Sequence, residues 1–237
     1  MIYIGTAGWT LPRDARGAFP AAASNLASYA QVFNGLEINS TFRKSHRKTT
    51  YARWAQSVPE SFRFSVKVPK AISHVRGLVD ARTAIHQFID DIEPLHRKLG
   101  CILLQLPPSL GFDEAIADAF FADLRATYVG PVALEPRHAS WTQSPAIALL
   151  QRYDCDVVWA DPAVVPLATR NKPGFAYFRL HGWPHVYSSS YSEAFIADIA
   201  GRISALPKGS DAWCIFDNTA RGAAIPNAIA MQRRIAT

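Results

Sequence analysis

Phe175-Ala176-Tyr177-Phe178-Arg179-Leu180-His181-Gly182 is the stretch whose reading decides the fold. Six residues of strand composition run into Arg179 and His181 and stop at a glycine. Side chains alternate along a strand, so Arg179 and His181 point to one face together. The same grammar recurs on either side. Short apolar runs occupy residues 2–5, 36–38, 62–68, 101–106, 132–135, 157–160 and 213–216. Their far ends carry Gly5, Glu37 with Asn39, Lys67, Gln105, Glu135 with Arg137, Asp161, and Asp217 with Asn218. Their near ends show no such bias, with Gly35, Phe62, Pro131 and Phe175 among them. Ordinary surface loops would make both ends polar. A bias to one end means that the strands run in parallel and deliver polar groups to one edge.

Helix-compatible stretches separate the runs. Ser24 can cap a helix reaching about Phe33, and residues 49–57 hold a short one. Residues 81–99 space Ile85, Phe88, Ile89, Ile92 and Leu95 helically, with Pro94 breaking the pattern. Asp113 can cap a helix through Ala126. Residues 142–152 carry Pro145 in their first turn. Ser190 or Ser192 opens a helix reaching Leu206, and residues 223–234 form the last, with Pro226 near its start. The stretch 162–173 admits only a turn or short helix. Near-continuous apolar strands alternating with helices give an α/β class with both sheet faces covered. The expected architecture is a closed (β/α)8 barrel of TIM type, in one domain spanning residues 1–237. An open doubly wound sheet is the competitor, but no GxGxxG follows the first run and no P-loop exists. Either topology puts ligands at the strand C-terminal ends.

Composition agrees. A chain of 237 residues with 49% hydrophobic and 19% charged content supports a sizeable core and is not disordered. Lys and Arg number 25 against 19 Asp and Glu, a net charge of +6 that favours anionic partners. Only Arg43-Lys44-Ser45-His46-Arg47-Lys48 is densely basic. Cys101, Cys155 and Cys214 form no CxxC or zinc spacing. Unpaired thiols in apolar runs, no secretory signal and no apolar run of about 18 residues lead to the expectation of a cytoplasmic protein without a membrane span.

The motifs stand in a fixed order: Gly5-Thr6-Ala7-Gly8-Trp9, Glu37-Ile38-Asn39-Ser40-Thr41-Phe42, Lys67-Val68-Pro69-Lys70-Ala71-Ile72-Ser73-His74, Gln105-Leu106-Pro107-Pro108, Glu135-Pro136-Arg137-His138-Ala139-Ser140-Trp141, Phe178-Arg179-Leu180-His181-Gly182 and Phe216-Asp217-Asn218. From Gly5 to about Ala228 the chain resembles the YecE-like family, domain of unknown function family 72. The resemblance implies a TIM-type barrel and no particular reaction. This chain departs from the family's pattern in carrying Arg43 where an aromatic is usual and Asp217 where asparagine is usual. It also lacks the aromatic expected around Ala15.

The expected site gathers Glu37, Glu135, Asp161 and Asp217 against Lys67, Arg137 and Arg179, with His74 and His181 able to titrate. More ionisable groups meet there than closing a barrel requires. The leading reading is an enzyme, a hydrolase, lyase or isomerase, acting on a small polar or anionic substrate bearing phosphate or carboxylate. Glu37, Lys67, Glu135 and His181 are the catalytic candidates for acid/base work. Glu37 and Glu135 could pair as in glycosidases. Lys67 could act as a base or Schiff-base amine, or simply pair with Glu37. Asn39, His74, Gln105, Arg137, Trp141, Asp161, Arg179, Tyr187, Asp217 and Asn218 are the substrate-binding candidates. Arg137 and Arg179 offer forks for an anion. Trp9, Phe42, Trp141, Trp183 and Tyr187 could form stacking walls, Trp141 instead packing on the barrel and Trp183 with Tyr187 forming a lid. No cofactor or metal is expected. A divalent cation on Glu135, Asp161, His181 and Asp217 would compete with three neighbouring cations. The alternatives are a nucleic-acid-binding or -processing protein using residues 43–48 on phosphates, and a non-catalytic binding barrel.

Overall fold

The computed structural model describes residues 1–163 and 174–236. The strands are β1 (Ile2–Thr6), β2 (Gly35–Ile38), β3 (Arg63–Lys67), β4 (Leu99–Gln105), β5 (Val132–Glu135), β6 (Cys155–Val157), β7 (Trp159–Asp161), β8 (Phe175–Leu180) and β9 (Asp211–Phe216). The α-helices are α1 (Asn25–Tyr29), α2 (Lys48–Gln56), α3 (Arg82–Ile92), α4 (Glu114–Arg125), α5 (Ser144–Arg152), α6 (Glu193–Ser204) and α7 (Ala224–Ile235). The fold is mixed α/β with two parallel sheets, ordered β1-β9-β8-β7 and β2-β3-β4-β5-β6. Among the described residues, no helix is long and apolar enough to cross a membrane.

The helix boundaries follow local chemistry. Ser24, Asp113 and Ser192 accept from the backbone N–H three residues on, at Ala27, Ile116 and Phe195, and so satisfy an orphan donor of α1, α4 and α6. Pro145 sits in the first turn of α5, where its missing N–H costs nothing. Three expectations need correction. The helix expected over residues 81–99 stops at Ile92. A 3-10 stretch, Glu93–Lys98, takes over at Pro94 and is broken by the positive φ of His96. The helix opened by Ser24 is α only to Tyr29, and single turns carry it to Phe33. The run 157–160 is not one strand. Val158 donates to Leu134 O, ending the β5–β6 ladder, and the chain then changes partner so that Trp159 pairs with Phe178. Most of the stretch 162–173 lies outside the described residues.

The strand alternation sorts the core into two parts. Ile4, Leu36, Phe64, Val66, Ile102, Leu104, Leu134, Phe178 and Cys214 belong to a large cluster with the helices. Their neighbours Tyr3, Ala7, Cys101, Leu103, Ala133, Val158, Phe175, Tyr177, Trp213 and Ile215 form a second, separate cluster. Successive residues thus feed opposite faces, and both faces are buried. The second cluster draws on both sheets.

The sheets meet at β1 and β2. Ala7 and Glu37 form a parallel bridge, and Gly8 N donates to Glu37 O. Side chains complete the seam. Asn34 accepts from Ile4 N at 2.9 Å and donates to Ile2 O at 2.7 Å, while Tyr29 Oη accepts from Thr6 N at 2.8 Å. The approach is so close that a Cβ at Gly5 would overlap the Gly35 carbonyl oxygen. Gly5→Ala should therefore lower stability by about 1–3 kcal/mol, the cost of overpacking. That is roughly 2–12 °C in Tm for a chain this long. Differential scanning calorimetry measures it, and an unchanged Tm would mean that the seam opens freely.

Candidate active site

The C-terminal ends of β2, β3, β5, β8 and β9 bring their charged residues together. Arg179, next to last in β8, is fully buried. Its guanidinium clamps three strands. Nε and Nη2 donate to Glu37 of β2 at 2.9 and 2.7 Å, and Nη1 donates to Glu135 of β5 at 3.2 Å. Nη2 also lies 3.0 Å from Asp217, the residue after β9. Glu37 Oε2 receives a further bond from the Tyr177 hydroxyl, which also reaches Ser65 of β3 at 3.0 Å. His181 follows β8 on the same face as Arg179. Its Nδ1 lies 3.0 Å from Asp217 and its Nε2 2.9 Å from Glu135. Arg137, two residues past Glu135, ion-pairs with Glu135 and approaches His181 Nε2 at 2.7 Å.

Burial opposes each of these charges, and the partners overcome it. Against that penalty, Arg179 and His181 hold the Glu135 carboxyl well below the usual carboxylate range. Arg179 and His181 likewise keep Asp217 low. Burial lowers the affinity of His181 for a proton, yet its hydrogen bonds to Asp217 and Glu135 raise it overall. His181 Nε2 faces two incompatible partners. As an imidazolium it donates to Glu135, and as a neutral ring it accepts from Arg137.

Lys67, the last residue of β3, is the exception. It is 5% exposed, and among the described residues its Nζ makes no hydrogen bond or ion pair. Its nearest feature is the Phe42 ring, 4.3 Å from Nζ to the centroid. Burial first, and Arg179 second, push its pKa down to about 8, against the pull of Glu37, Glu135 and Asp217. Thr41 fixes the backbone there, its hydroxyl bonding the carbonyls of Ile38 and Lys67. Of the two roles that the sequence leaves open for Lys67, the simple pairing with Glu37 is not formed, because Arg179 and Tyr177 occupy Glu37.

The other sequence candidates lie around this centre. His74 sits in the turn Ala71–Val75, its ring edge-on to Phe42 at 4.9 Å. Gln105 ends β4 in register with Glu135. Tyr187, 46% exposed, packs edge-on to His181 at 5.6 Å. Asn39 lines a neighbouring cavity of about 360 Å³ with Trp9, Ser40, His46 and Trp54. Three candidates face elsewhere. Asp161 ends β7 and accepts from the Tyr191 hydroxyl at 2.7 Å. Asn218 donates to Ser189 O and Asn227. Trp141 is buried in the large cluster, its indole N–H on Leu110 O and its ring against Phe112. Tyr177 and Ser65 escaped the sequence reading, although each lies two residues before a chosen residue on the same strand face. Among the described residues, no group of three or more His, Cys, Asp or Glu side chains has the geometry to hold a metal ion.

A profile of the family described as protein of unknown function DUF72 matches residues 3–237. The chain belongs to the DUF72 family. The UPF0759 protein YecE of Escherichia coli K12 is 32% identical over 123 residues, 52% of this chain and 44% of YecE. The UPF0759 protein YunF of Bacillus subtilis 168 is 30% identical over 156 residues, 61% of this chain and 54% of YunF. These matches span about half the length of those relatives. A DUF72 family protein of Thermotoga maritima MSB8 superposes with a TM-score of 0.81 at 25% identity, covering 100% of both chains. One from Enterococcus faecalis V583 gives 0.82 at 23% identity, covering 100% of this chain and 96% of the other. This DUF72 chain therefore shares its whole fold with solved members of the family.

The charge cluster predicts a pH profile. The lowered Glu135 and Asp217 stabilise fully above about pH 4 and lose that contribution as pH falls. The raised His181 contributes fully below about pH 6.5 and loses its share as pH rises through its folded value. Lys67 acts in the opposite sense, adding stability as pH climbs from about 8 towards 10.4, because the unfolded chain keeps that proton longer. Urea titrations should place a local stability maximum at about pH 4.5–6.5, between the carboxylate and histidine unfolded-state values, with a further rise above about pH 8 from Lys67. Arg179→Met should cost about 3–5 kcal/mol by leaving buried carboxylates uncompensated. A profile flat from pH 3 to 7 would contradict this electrostatic account.

Proposed function

We propose that this DUF72 chain is an enzyme that transfers protons on a small anionic substrate at the strand C-terminal ends. Lys67 and His181 move the protons. Arg137 receives the anionic group, aided by His74, and Tyr187 covers the site. The single observation that carries this reading is the buried Lys67 amine, left unengaged beside three carboxylates that are all engaged elsewhere. An amine with a pKa of about 8 exchanges its proton near neutrality, as a general base or acid requires. Glu37 and Glu135 then act by holding Arg179 and His181 in place. Both carboxylates bind one guanidinium, which disfavours a two-carboxylate glycosidase mechanism and favours lyase or isomerase chemistry. A cation at these carboxylates would have to displace Arg179, Arg137 and His181, so the reading uses no metal or cofactor.

We also infer that the two sheets are parts of one closed TIM-type barrel formed by the whole chain. Two features support it: the β1–β2 seam, and the direct passage from β6 to β7 through Val158. Contacts such as Tyr177 to Ser65 span both sheets. The Trp9 and Trp54 cavity supports a second reading, a nucleic-acid ligand placing a base there. Arg43, Lys44 and Arg47 are exposed beside it, although Lys48 is paired with Asp90.

Thermal-shift measurements with small carboxylates, sugar phosphates and an oligonucleotide, at low and high salt, separate the two. The expected result is a salt-resistant shift of several degrees from a small anion, lost in Arg137→Ala and kept in Arg43→Ala/Arg47→Ala. A shift from the oligonucleotide alone, erased by salt and by the Arg43/Arg47 changes, would overturn the enzyme reading.

A further inference from the structure

We infer that the Lys67 amine forms a covalent imine with the carbonyl carbon of an aldehyde or ketone that also bears a carboxylate or phosphate. The inference rests on the preceding reading only in placing the ligand at this site.

Two other lysines show the contrast with Lys67. Lys98, whose side chain is 13% exposed, donates to the carbonyls of Ala55 and Val58 and lies near Glu60. Exposed Lys48 pairs with Asp90. Lys67 is buried with no acceptor among the described residues, an arrangement that penalises an ammonium and suits a neutral amine. Its surroundings explain how the arrangement persists. Arg179 takes both oxygens of Glu37 and one of Glu135, while Arg137 and His181 take the other oxygen of Glu135. His181 and Arg179 share Asp217 Oδ2. The amine therefore has no carboxylate to hold its proton and frees its lone pair as pH rises through about 8, with the Phe42 ring at 4.3 Å as an apolar wall. An anionic group on the ligand has a donor waiting. Arg137 Nε is buried and, among the described residues, has no hydrogen-bond partner.

The chemistry balances without a co-reactant. The Nζ lone pair adds to the carbonyl carbon, and the C=O π pair moves onto oxygen. Both amine protons pass to that oxygen, one by way of His181 Nε2, and it leaves as water while C=N forms. The neutral imine nitrogen then takes one proton from the His181 imidazolium, and the resulting iminium draws electrons from the adjacent carbon, which is what lyase or isomerase chemistry next to a carbonyl needs.

The test is reductive trapping of the wild-type chain. The protein is incubated with pyruvate or, separately, dihydroxyacetone phosphate, reduced with borohydride, and mapped by peptide mass spectrometry. The two arms distinguish a carboxylate from a phosphate requirement. The expected result is one adduct per chain, on Lys67, absent from Lys67→Met and Lys67→Arg. Trapping should accelerate as pH rises through about 8. The groups facing Lys67 across that range are Arg179, Glu37, Glu135, Asp217 and His74. Adducts confined to exposed lysines such as Lys44, Lys70 and Lys208, equal in wild type and Lys67→Met, would overturn the inference. If small anions still give the salt-resistant thermal shift in that case, the imine falls and the proton-transfer reading stands. If neither is seen, both fall.

Discussion

The Arg179 clamp is the interaction on which the rest of the structure depends. One fully buried guanidinium from β8 reaches β2, β5 and the residue after β9, and these elements belong to both sheets. Burying so many charges is tolerable only where each is paired and hydrogen-bonded. Arginine is suited to that task, because its planar fork holds several oxygens at once and stays charged at every relevant pH. The strand ends are therefore locked relative to one another by electrostatics as well as by ladder hydrogen bonds.

Beneath the clamp lies an aromatic floor. Tyr177 stacks on Trp213 at 6.0 Å, and Tyr3 packs against the same indole at 4.7 Å. This floor excludes water from below and keeps the local dielectric low, which strengthens every ion pair above it. The Tyr177 hydroxyl joins the two layers by bonding Glu37 and Ser65. Apolar packing below and charge pairing above thus support each other. The same low dielectric that tightens Arg179 on Glu37 also pushes the unpaired Lys67 towards neutrality.

Much of this was legible in the residues themselves. Polar residues two apart at the exit of an apolar run must share a face, and Glu135 with Arg137 and Arg179 with His181 do meet as that rule requires. The rule also reaches backwards, to Tyr177 before Arg179 and to Ser65 before Lys67, where a strand interior of ordinary composition hid the polar atoms. Other features carry no local signal. A change of pairing partner at Val158 depends on strands far away in sequence, so the run 157–160 reads as continuous. Asp161 looks equivalent to Asp217 by position, yet Tyr191, thirty residues later, captures its side chain. Trp141 reads equally as a wall of the site or as core, and long-range packing against Phe112 decides for the core.

Charge bookkeeping ties the site together. Glu37, Glu135 and Asp217 contribute three negative charges, and Arg137, Arg179 and protonated His181 contribute three positive ones. The cluster is neutral with Lys67 uncharged, and an added proton on Lys67 leaves one positive charge without a counter-ion. Asp217 sets this balance. An asparagine there, as in the pattern the chain otherwise resembles, would remove one negative charge and the acceptor that raises His181. His181 would then tend to neutrality and accept from Arg137. Asp217 thus serves the cluster twice, as an ion-pair partner of Arg179 and as the acceptor that holds the His181 proton.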